Sequence, residues 1–99
     1  MSYTIRFSPD ALTDYSDIHD WYEEKSLEEK FEKEVNERLK FIALYPEASG
    51  FKYRHLRGTR LKKFPYRILF ELDESLQIAT IVAILHDARN SEILEKRFG

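Results

Sequence analysis

The sequence is informative first through what it lacks. Its 99 residues contain no cysteine and only three glycines. Without cysteine there is no disulfide framework and no thiol chemistry. The glycines are scattered rather than gathered in a nucleotide-binding loop, and no serine stands in a nucleophile elbow. The three histidines are His19, His55 and His86, and their spacing is not that of a zinc site. We therefore expect no cofactor and no metal.

Long apolar runs are also absent. Residues 1–10 carry no apolar signal-peptide core, and no run approaches the ~18 apolar residues of a membrane helix. The longest apolar run, Ile78 to Leu85, is interrupted by Thr80 and is typical of a buried strand. We therefore expect a cytoplasmic protein with no membrane partner. The length predicts a single domain over residues 1–99.

Acidic residues are missing from the middle of the chain. Between Ala48 and Phe70 there are seven Lys or Arg and no acid, whereas the segment from Asp10 to Glu37 has eleven acids and three lysines. The formal net charge of −2 hides this asymmetry. Either the basic half meets an anionic partner, or the two halves face each other or solvent. Charge alone favours neither reading.

Two helices are predicted in the acidic half. Ser8 is a good N-cap with Pro9 at the first helical position, and apolar residues recur at helical spacing to about Glu24. Ser26, with Glu29 three residues later, predicts a capping box for a second helix that ends at Pro46. A short connection between two such helices predicts a helical hairpin.

Strands are predicted around this hairpin, because apolar residues alternate with a period of two. The segments are 3–7, 51–57, a long strand 61–72 kinked at Pro65, and 77–85, with a turn at Gly58–Thr59 and a short final helix over 91–98. The order β-α-α-β-β-β-α predicts an α+β domain, a twisted, mostly antiparallel sheet with the hairpin packed on one face. We expect the first strand at an edge beside the last, and the short final helix alone on the second face.

One group of side chains can carry chemistry. Arg67 lies near the start of one strand and His86 follows the next, so antiparallel pairing would bring them together with Arg89. Cations and one group that titrates near neutral pH could serve RNA cleavage through the 2′-hydroxyl. Alternatively, Arg67 pairs with Asp87 or Glu71, and His86 bonds to the backbone. The complete candidate catalytic set for a nuclease is Lys62, Lys63, Arg67, His86 and Arg89, with Arg60 beside it.

Three segments carry a family resemblance. The amphipathic helix DALTDYSDIHDWYEE, the strand LKKFPYRILFEL and the later AILHDARNSE occur in an order and spacing that resemble the ParE/RelE superfamily, the toxins of bacterial type II toxin–antitoxin systems, including plasmid stabilisation proteins. The resemblance covers nearly the whole chain. It implies the fold predicted above and a cognate antitoxin encoded by the adjacent gene.

The resemblance also divides the functional expectations. RelE-like members cut mRNA on the ribosome with basic residues in the sheet and, typically, a Tyr or a His-Tyr pair in the C-terminal segment. Here the tail 91–99 has no Tyr, and Leu94 or Phe98 stands in its place. The HDARN turn resembles the ParE branch, whose characterised members poison DNA gyrase. The resemblance therefore favours a ParE-like, non-enzymatic toxin, with a RelE-like endoribonuclease or a non-toxic antitoxin-binding relic as alternatives.

The resemblance implies protein partners. They are the antitoxin and DNA gyrase, or the ribosome and mRNA under the alternative, and specific DNA binding is expected of the antitoxin rather than of this chain. The antitoxin would bring acidic residues to the basic stretch and apolar ones to the sheet or hairpin. The predicted target- or antitoxin-binding residues are Lys52, Arg54, Arg57, Arg60, Lys62, Lys63, Arg67, Arg89 and Arg97.

Overall fold

The computed structural model describes residues 2–99, apart from the side chains of Arg89 and Asn90. Its helices and strands follow one another as a β-α-α unit, four strands and a final helix. In chain order they are β1 (Thr4–Phe7), α1 (Pro9–Glu23), α2 (Glu28–Leu44), β2 (Phe51–Tyr53), β3 (Leu56–Arg60), β4 (Tyr66–Asp73), β5 (Ile78–His86) and α3 (Asn90–Phe98). Short 3₁₀ turns at Pro46–Ala48 and Asp87–Arg89 follow α2 and β5.

The helical hairpin forms as expected, but only one of its two predicted caps is correct. The Oγ of Ser8 accepts the N–H of Ala11 at 3.1 Å, as an N-cap should. The capping box at Ser26 is wrong. Ser26 has φ 57°, a left-handed conformation that ends the α1 segment, and α2 begins from Leu27 without a side-chain cap. A residue in that conformation cannot also take the extended backbone of an N-cap.

The five strands form one sheet in the order β1-β5-β4-β3-β2. Strand β1 runs parallel to β5 at one edge, and all other pairs are antiparallel. This confirms the α+β class, the mostly antiparallel sheet and the predicted edge position of the first strand. No helix in the described part of the chain is long and apolar enough to cross a membrane.

The predicted boundaries of the middle strands are wrong. Residues 51–60 form a hairpin that turns at Arg54, which has φ 54°, whereas Gly58 and Thr59 lie inside β3. The predicted long strand is also shorter, because β4 begins at Tyr66 and residues 61–65 form a loop. Pro65 therefore precedes the strand instead of kinking it, which suits a residue that cannot donate to a ladder.

The sheet has two covered faces. The hairpin face packs α1 and α2 against the sheet through residues such as Phe31, Ile68 and Phe70, which are fully buried. The tail-helix face packs Leu94 of α3 against Leu69 and its neighbours. A register shift opposite Leu69 and Phe70 leaves an extra residue in β5, a β-bulge. Ile81 and Ile84 of β5 pack in the hairpin-side core, and Val82, Ala83 and Leu85 pack on the α3 side, so both faces of β5 are covered and apolar.

Candidate functional site

One basic side chain from each of β2, β3 and β4 lies on the tail-helix face of the sheet. Arg60 of β3 lies opposite Arg67 of β4, which lies opposite Leu85 of β5. The side chain of Arg67 crosses over Gly58, where an added Cβ would lie 3.3 Å from the Arg67 Cδ and 2.6 Å from the Lys52 Cγ. Lys52, Arg60 and Arg67 therefore form one basic row. Gly58 is not a turn residue here. Its lack of a side chain lets the Lys52 and Arg67 side chains lie close to the backbone.

Each acid near this row contacts another basic residue, and the Oδ1 of Asp87 has no hydrogen-bond partner among the described residues. Asp87 pairs with Arg60, with 2.5 Å between Oδ2 and Nε, and Glu71 lies 3.0 Å from His55 Nε2. The two acids weighed as alternative partners of Arg67 thus contact other residues. The Nε of Arg67 is buried without a hydrogen-bond partner among the described residues. A basic row with an unsatisfied donor is suited to bind an anionic group.

His86 is separated from the basic row by strand alternation. It lies opposite Tyr66, and the two rings meet edge to face with 5.3 Å between centroids on the hairpin face. Its Nδ1 accepts the N–H of Ala88 at 3.1 Å, which places the proton of the neutral ring on Nε2. The antiparallel pairing expected for Arg67 and His86 is present, but neighbouring residues on a strand point to opposite faces. The sequence reading missed Tyr66, which only the cross-strand register reveals.

Tyr66 joins an aromatic cluster under the hairpin. Its ring lies 6.2 Å from both Tyr22 and Phe31. Burial, reinforced by Tyr66, raises the pKa of Tyr22 to about 12. Tyr22 is therefore a neutral structural residue at physiological pH.

Lys62 and Lys63 lie on the hairpin side, away from the basic row. Their backbone N–H groups both donate to the carboxylate of Glu34 in α2, with 3.0 Å from Lys63 N to Oε1. Both side chains are exposed. The acid of α2 therefore fixes the 61–65 loop by its backbone and leaves the lysine amines directed to solvent.

Two other predicted binding residues, Arg57 and Arg54, have structural contacts. Arg57 donates to the Ser49 carbonyl at 2.8 Å and covers the ring of Phe51 at 4.2 Å. Arg54 occupies the β2–β3 turn, 5.2 Å from the ring of Tyr53. The side chain of Arg89 lies outside the described residues.

Arg97 is held inside the fold. It forms a two-pronged contact with Asp14, at 2.8 and 3.1 Å, and is 21% exposed. The hydrogen bond and charge of Asp14, with the charge of Asp10, raise the pKa of Arg97 against the opposing effect of burial. Arg97 therefore attaches α3 to α1 through Asp14. To bind a partner as predicted, Arg97 would have to break its ion pair with Asp14.

The acidic and histidine side chains are dispersed over the surface. In residues 2–99, side chains of Arg89 and Asn90 aside, no three His, Asp or Glu side chains converge to hold a metal ion. The surface offers instead cations on one face and a His–Tyr pair on the other.

Structural relatives share the fold. A chromosomal ParDE toxin–antitoxin protein from P. aeruginosa superposes with a TM-score of 0.69 at 18% identity, covering 86% of this chain and 96% of that one. A double arginine mutant of the E. coli toxin RelE in the free state gives 0.69 at 18% identity, over 100% of both chains. A RelBE complex from Mycobacterium tuberculosis gives 0.57 at 18% identity, over 87% and 99%. At this identity the likeness establishes the fold alone.

Sequence comparison gives the family. No curated protein matches the sequence significantly. The family model for the ParE toxin of the type II toxin–antitoxin system parDE, however, matches residues 5–91, from β1 into the start of α3. That range contains the hairpin, all five strands and the basic row. The chain therefore belongs to the ParE toxin family, within the ParE/RelE superfamily of type II toxin–antitoxin systems.

Proposed function

We propose that this chain is the toxin of a type II system, that it arrests growth by binding DNA gyrase, and that a cognate antitoxin neutralises it. The observation that carries the proposal is the match of residues 5–91 to the ParE toxin model. Gyrase inhibition by protein contact requires a binding surface and no catalytic group. The basic row of Lys52, Arg60 and Arg67 supplies such a surface.

The separation of His86 from the basic row supports a non-catalytic mode of action. Cleavage through a 2′-hydroxyl needs a base, an acid and cations that meet at one phosphate. Here His86 and Tyr66 face the hairpin, whereas Arg60 and Arg67 face α3. With Nδ1 of His86 accepting the N–H of Ala88, the proton of the neutral ring is on Nε2.

One observation favours a RelE-like ribonuclease as the second candidate. The Tyr66–His86 contact provides the aromatic hydroxyl that the tail lacks. It joins the end of β5 to the start of β4, the strand that carries Arg67. Under this candidate a phosphate would have to reach around the end of the sheet, from the basic row to His86. The target would be mRNA on the ribosome.

The antitoxin is the partner common to both candidates. Relatives of the same fold were solved as toxin–antitoxin assemblies, among them the M. tuberculosis complex and an E. coli RelE mutant with an antitoxin peptide. We propose that the gene adjacent to this one encodes the equivalent partner. A non-toxic copy that only binds an antitoxin is the third possibility.

The decisive experiment is inducible expression with and without the adjacent gene, with RNA 5′ ends sequenced and supercoiling by purified gyrase measured. Growth arrest with intact transcripts and lost supercoiling supports the ParE mode. New 5′ ends within translated messages overturn it and support the nuclease. No arrest indicates the relic.

Two variants separate these modes further. His86→Ala abolishes cleavage if the nuclease candidate is correct and leaves gyrase inhibition unchanged if the ParE mode is correct. His19→Gln is the matched control, because His19 contacts Glu32 within the helical hairpin, away from both the basic row and His86.

A further inference from the structure

Two buried polar atoms in and beside the basic row have no partner among the described residues. The carboxylate of Asp87 contacts the Nε of Arg60 through Oδ2 at 2.5 Å, while its Oδ1 is buried and unpaired. The Nε of Arg67, which lies opposite Arg60 on the neighbouring strand, is also buried and unpaired. A buried donor or acceptor without a partner costs free energy. The hydrogen-bonding capacity of the row is therefore incompletely used in the free chain.

Asp87 supplies the anion that contacts the row in the free chain. Among the described residues, no other carboxylate lies within 4.0 Å of a cation of the row. The N–H of Asp87 donates to the Pro65 carbonyl at 3.0 Å, which holds the turn after β5 beside the start of β4. The ion pair is open to water, since the side chains of Arg60 and Asp87 are 54% and 30% exposed. An exposed pair of this kind contributes little stability, so another anion can replace Asp87 on Arg60.

The surface around the row offers cations without an apolar anchor. Of the large hydrophobic side chains that are exposed in the described chain, Phe51 of β2 is the one in the same three strands. Phe51 pairs with Arg57, which faces the hairpin side with its partner Phe70 and covers the Phe51 ring at 4.2 Å. A protein partner gains most of its affinity from buried aromatic or apolar anchors, whereas a phosphate backbone is held by cations and N–H donors. The row therefore suits a phosphate backbone better than a protein surface.

The row fits a duplex better than a single strand. Tyr53, the aromatic neighbour of Lys52, packs against the α3 cluster, and Arg54 lies over its ring at 5.2 Å. Tyr53 therefore offers no open ring for stacking with an unpaired base, which single-strand binding uses. Arg60 and Arg67 pair across β3 and β4 and Lys52 lies on the next strand, so the row spans about 10 Å at ~4.8 Å per strand. A duplex carries one phosphate per ~3.4 Å of axis on each strand, so the row can neutralise about three phosphates.

We propose that the basic row binds the phosphate backbone of the duplex DNA that gyrase holds, and that this DNA displaces Asp87 from Arg60. The inference rests on the proposed function and deepens it, because the target becomes the gyrase–DNA complex rather than gyrase alone. Phosphate contacts carry no base information, so they agree with the expectation that specific DNA binding belongs to the antitoxin. By occupying Arg60 in the free chain, Asp87 lowers the affinity of the row for DNA that gyrase does not hold.

The test compares the affinity of the purified chain for gyrase with and without a bound DNA duplex. We expect the wild type to bind DNA-loaded gyrase at least about tenfold more tightly than free gyrase at low salt, and this gain should shrink as salt rises. Lys52→Gln and Arg67→Gln should each reduce the gain and lower its salt dependence by about one charge. Arg6→Gln is the matched control, because Arg6 is an exposed arginine of β1, at the opposite edge of the sheet from Lys52.

Asp87 is tested by Asp87→Asn. This variant should bind DNA-loaded gyrase about two- to fivefold more tightly than the wild type, as expected when one competing exposed ion pair is lost. Asp17→Asn makes the same charge change at an exposed position of α1 and should leave the affinity unchanged. Equal affinities of the two variants would overturn the role of Asp87.

A supercoiling assay separates failure of this inference from failure of the proposed function. If the wild type inhibits supercoiling but binds gyrase equally well with and without DNA, the inference is overturned and the proposed function stands. If the wild type neither binds gyrase nor inhibits supercoiling, both are overturned. If Lys52→Gln and Arg67→Gln weaken binding to free gyrase as much as to DNA-loaded gyrase, the row contacts a protein surface and the inference is wrong.

Discussion

Asp14 of α1 and Arg97 of α3 form a two-pronged ion pair, and the same Asp14 carboxylate accepts the N–H of Ile84 in β5 at 3.0 Å. Arg97 also donates to the Val82 carbonyl at 3.4 Å. These bonds involve the part of β5 that extends beyond β1, because the last residue pair between the two strands is Phe7 with Ile81. Two side chains thus satisfy backbone groups that no strand reaches, and they join three elements of the fold.

Replacing Arg97 with alanine should lower the free energy of unfolding by about 1.5–3 kcal/mol, because a charge-assisted contact is lost and Asp14 keeps a part-buried charge. Urea denaturation measures the change. Lys96→Ala is the control, since Lys96 is exposed in the same helix. Equal midpoints for the two variants would show that the pair adds nothing to stability.

The stability of the hairpin should depend on pH through His19. Its Nε2 lies 2.7 Å from Glu32 Oε1, and this bond, aided by the charges of Glu32, Glu23 and Asp20, raises the pKa of His19 against the effect of desolvation. A pKa raised in the folded state means that the stabilisation is complete below about pH 6.5, the unfolded value, and is lost as pH rises through the folded value. Urea midpoints between pH 6 and 8.5 should therefore fall with pH in the wild type.

His19→Gln should flatten that dependence, because His55 and His86 remain in both proteins. The imidazole resonances of His19 provide the direct check, since they should titrate above pH 6.5. A variant with the same slope as the wild type would place the dependence in another group.

Glu34→Ala should free the 61–65 loop. The variant loses the acceptor of the Lys62 and Lys63 amides, and the loop should then exchange its amide hydrogens faster and be cut by trypsin after either lysine. The stability loss should be modest, about 1 kcal/mol, because the contact is exposed. Glu37→Ala, three residues along the same helix, is the comparison, and equal trypsin sensitivity in both would contradict the role of Glu34.

Gly58→Ala should disturb the basic row. The added Cβ would meet the Lys52 side chain at 2.6 Å and Arg67 at 3.3 Å, so both must move. Overpacking of this kind costs about 1–3 kcal/mol, and target binding should weaken beyond the stability loss. Gly50→Ala is the control, because an added Cβ there meets nothing within 4 Å. Normal growth arrest by folded Gly58→Ala protein would argue against a role for the row.

The fold was predictable where a signal is local. The cap at Ser8 and the period-two pattern of β4 depend on residues close in sequence, and both elements formed. Gly58 was misread because glycine marks turns and close approaches alike. The real turn at Arg54 uses a left-handed arginine, which the residue types do not indicate.

The candidate site was less predictable, because its contacts are made across the fold. Arg67 and His86 lie on opposite faces of the sheet, because His86 pairs with Tyr66, the residue before Arg67. The partner of Arg97 is Asp14, at the other end of the chain, and no spacing rule points to it.

The parallel pairing of β1 with β5 has a consequence for how the protein is made. The first strand leaves the ribosome early, but Thr4 finds its partner only when Ile78 has been added. Until then the apolar face of the hairpin has no complete sheet to cover, and such non-local pairing slows folding. A prematurely terminated chain would lack β5, the strand that lies between β1 and β4 in the sheet. Assembly of the complete sheet thus waits until β5 has left the ribosome.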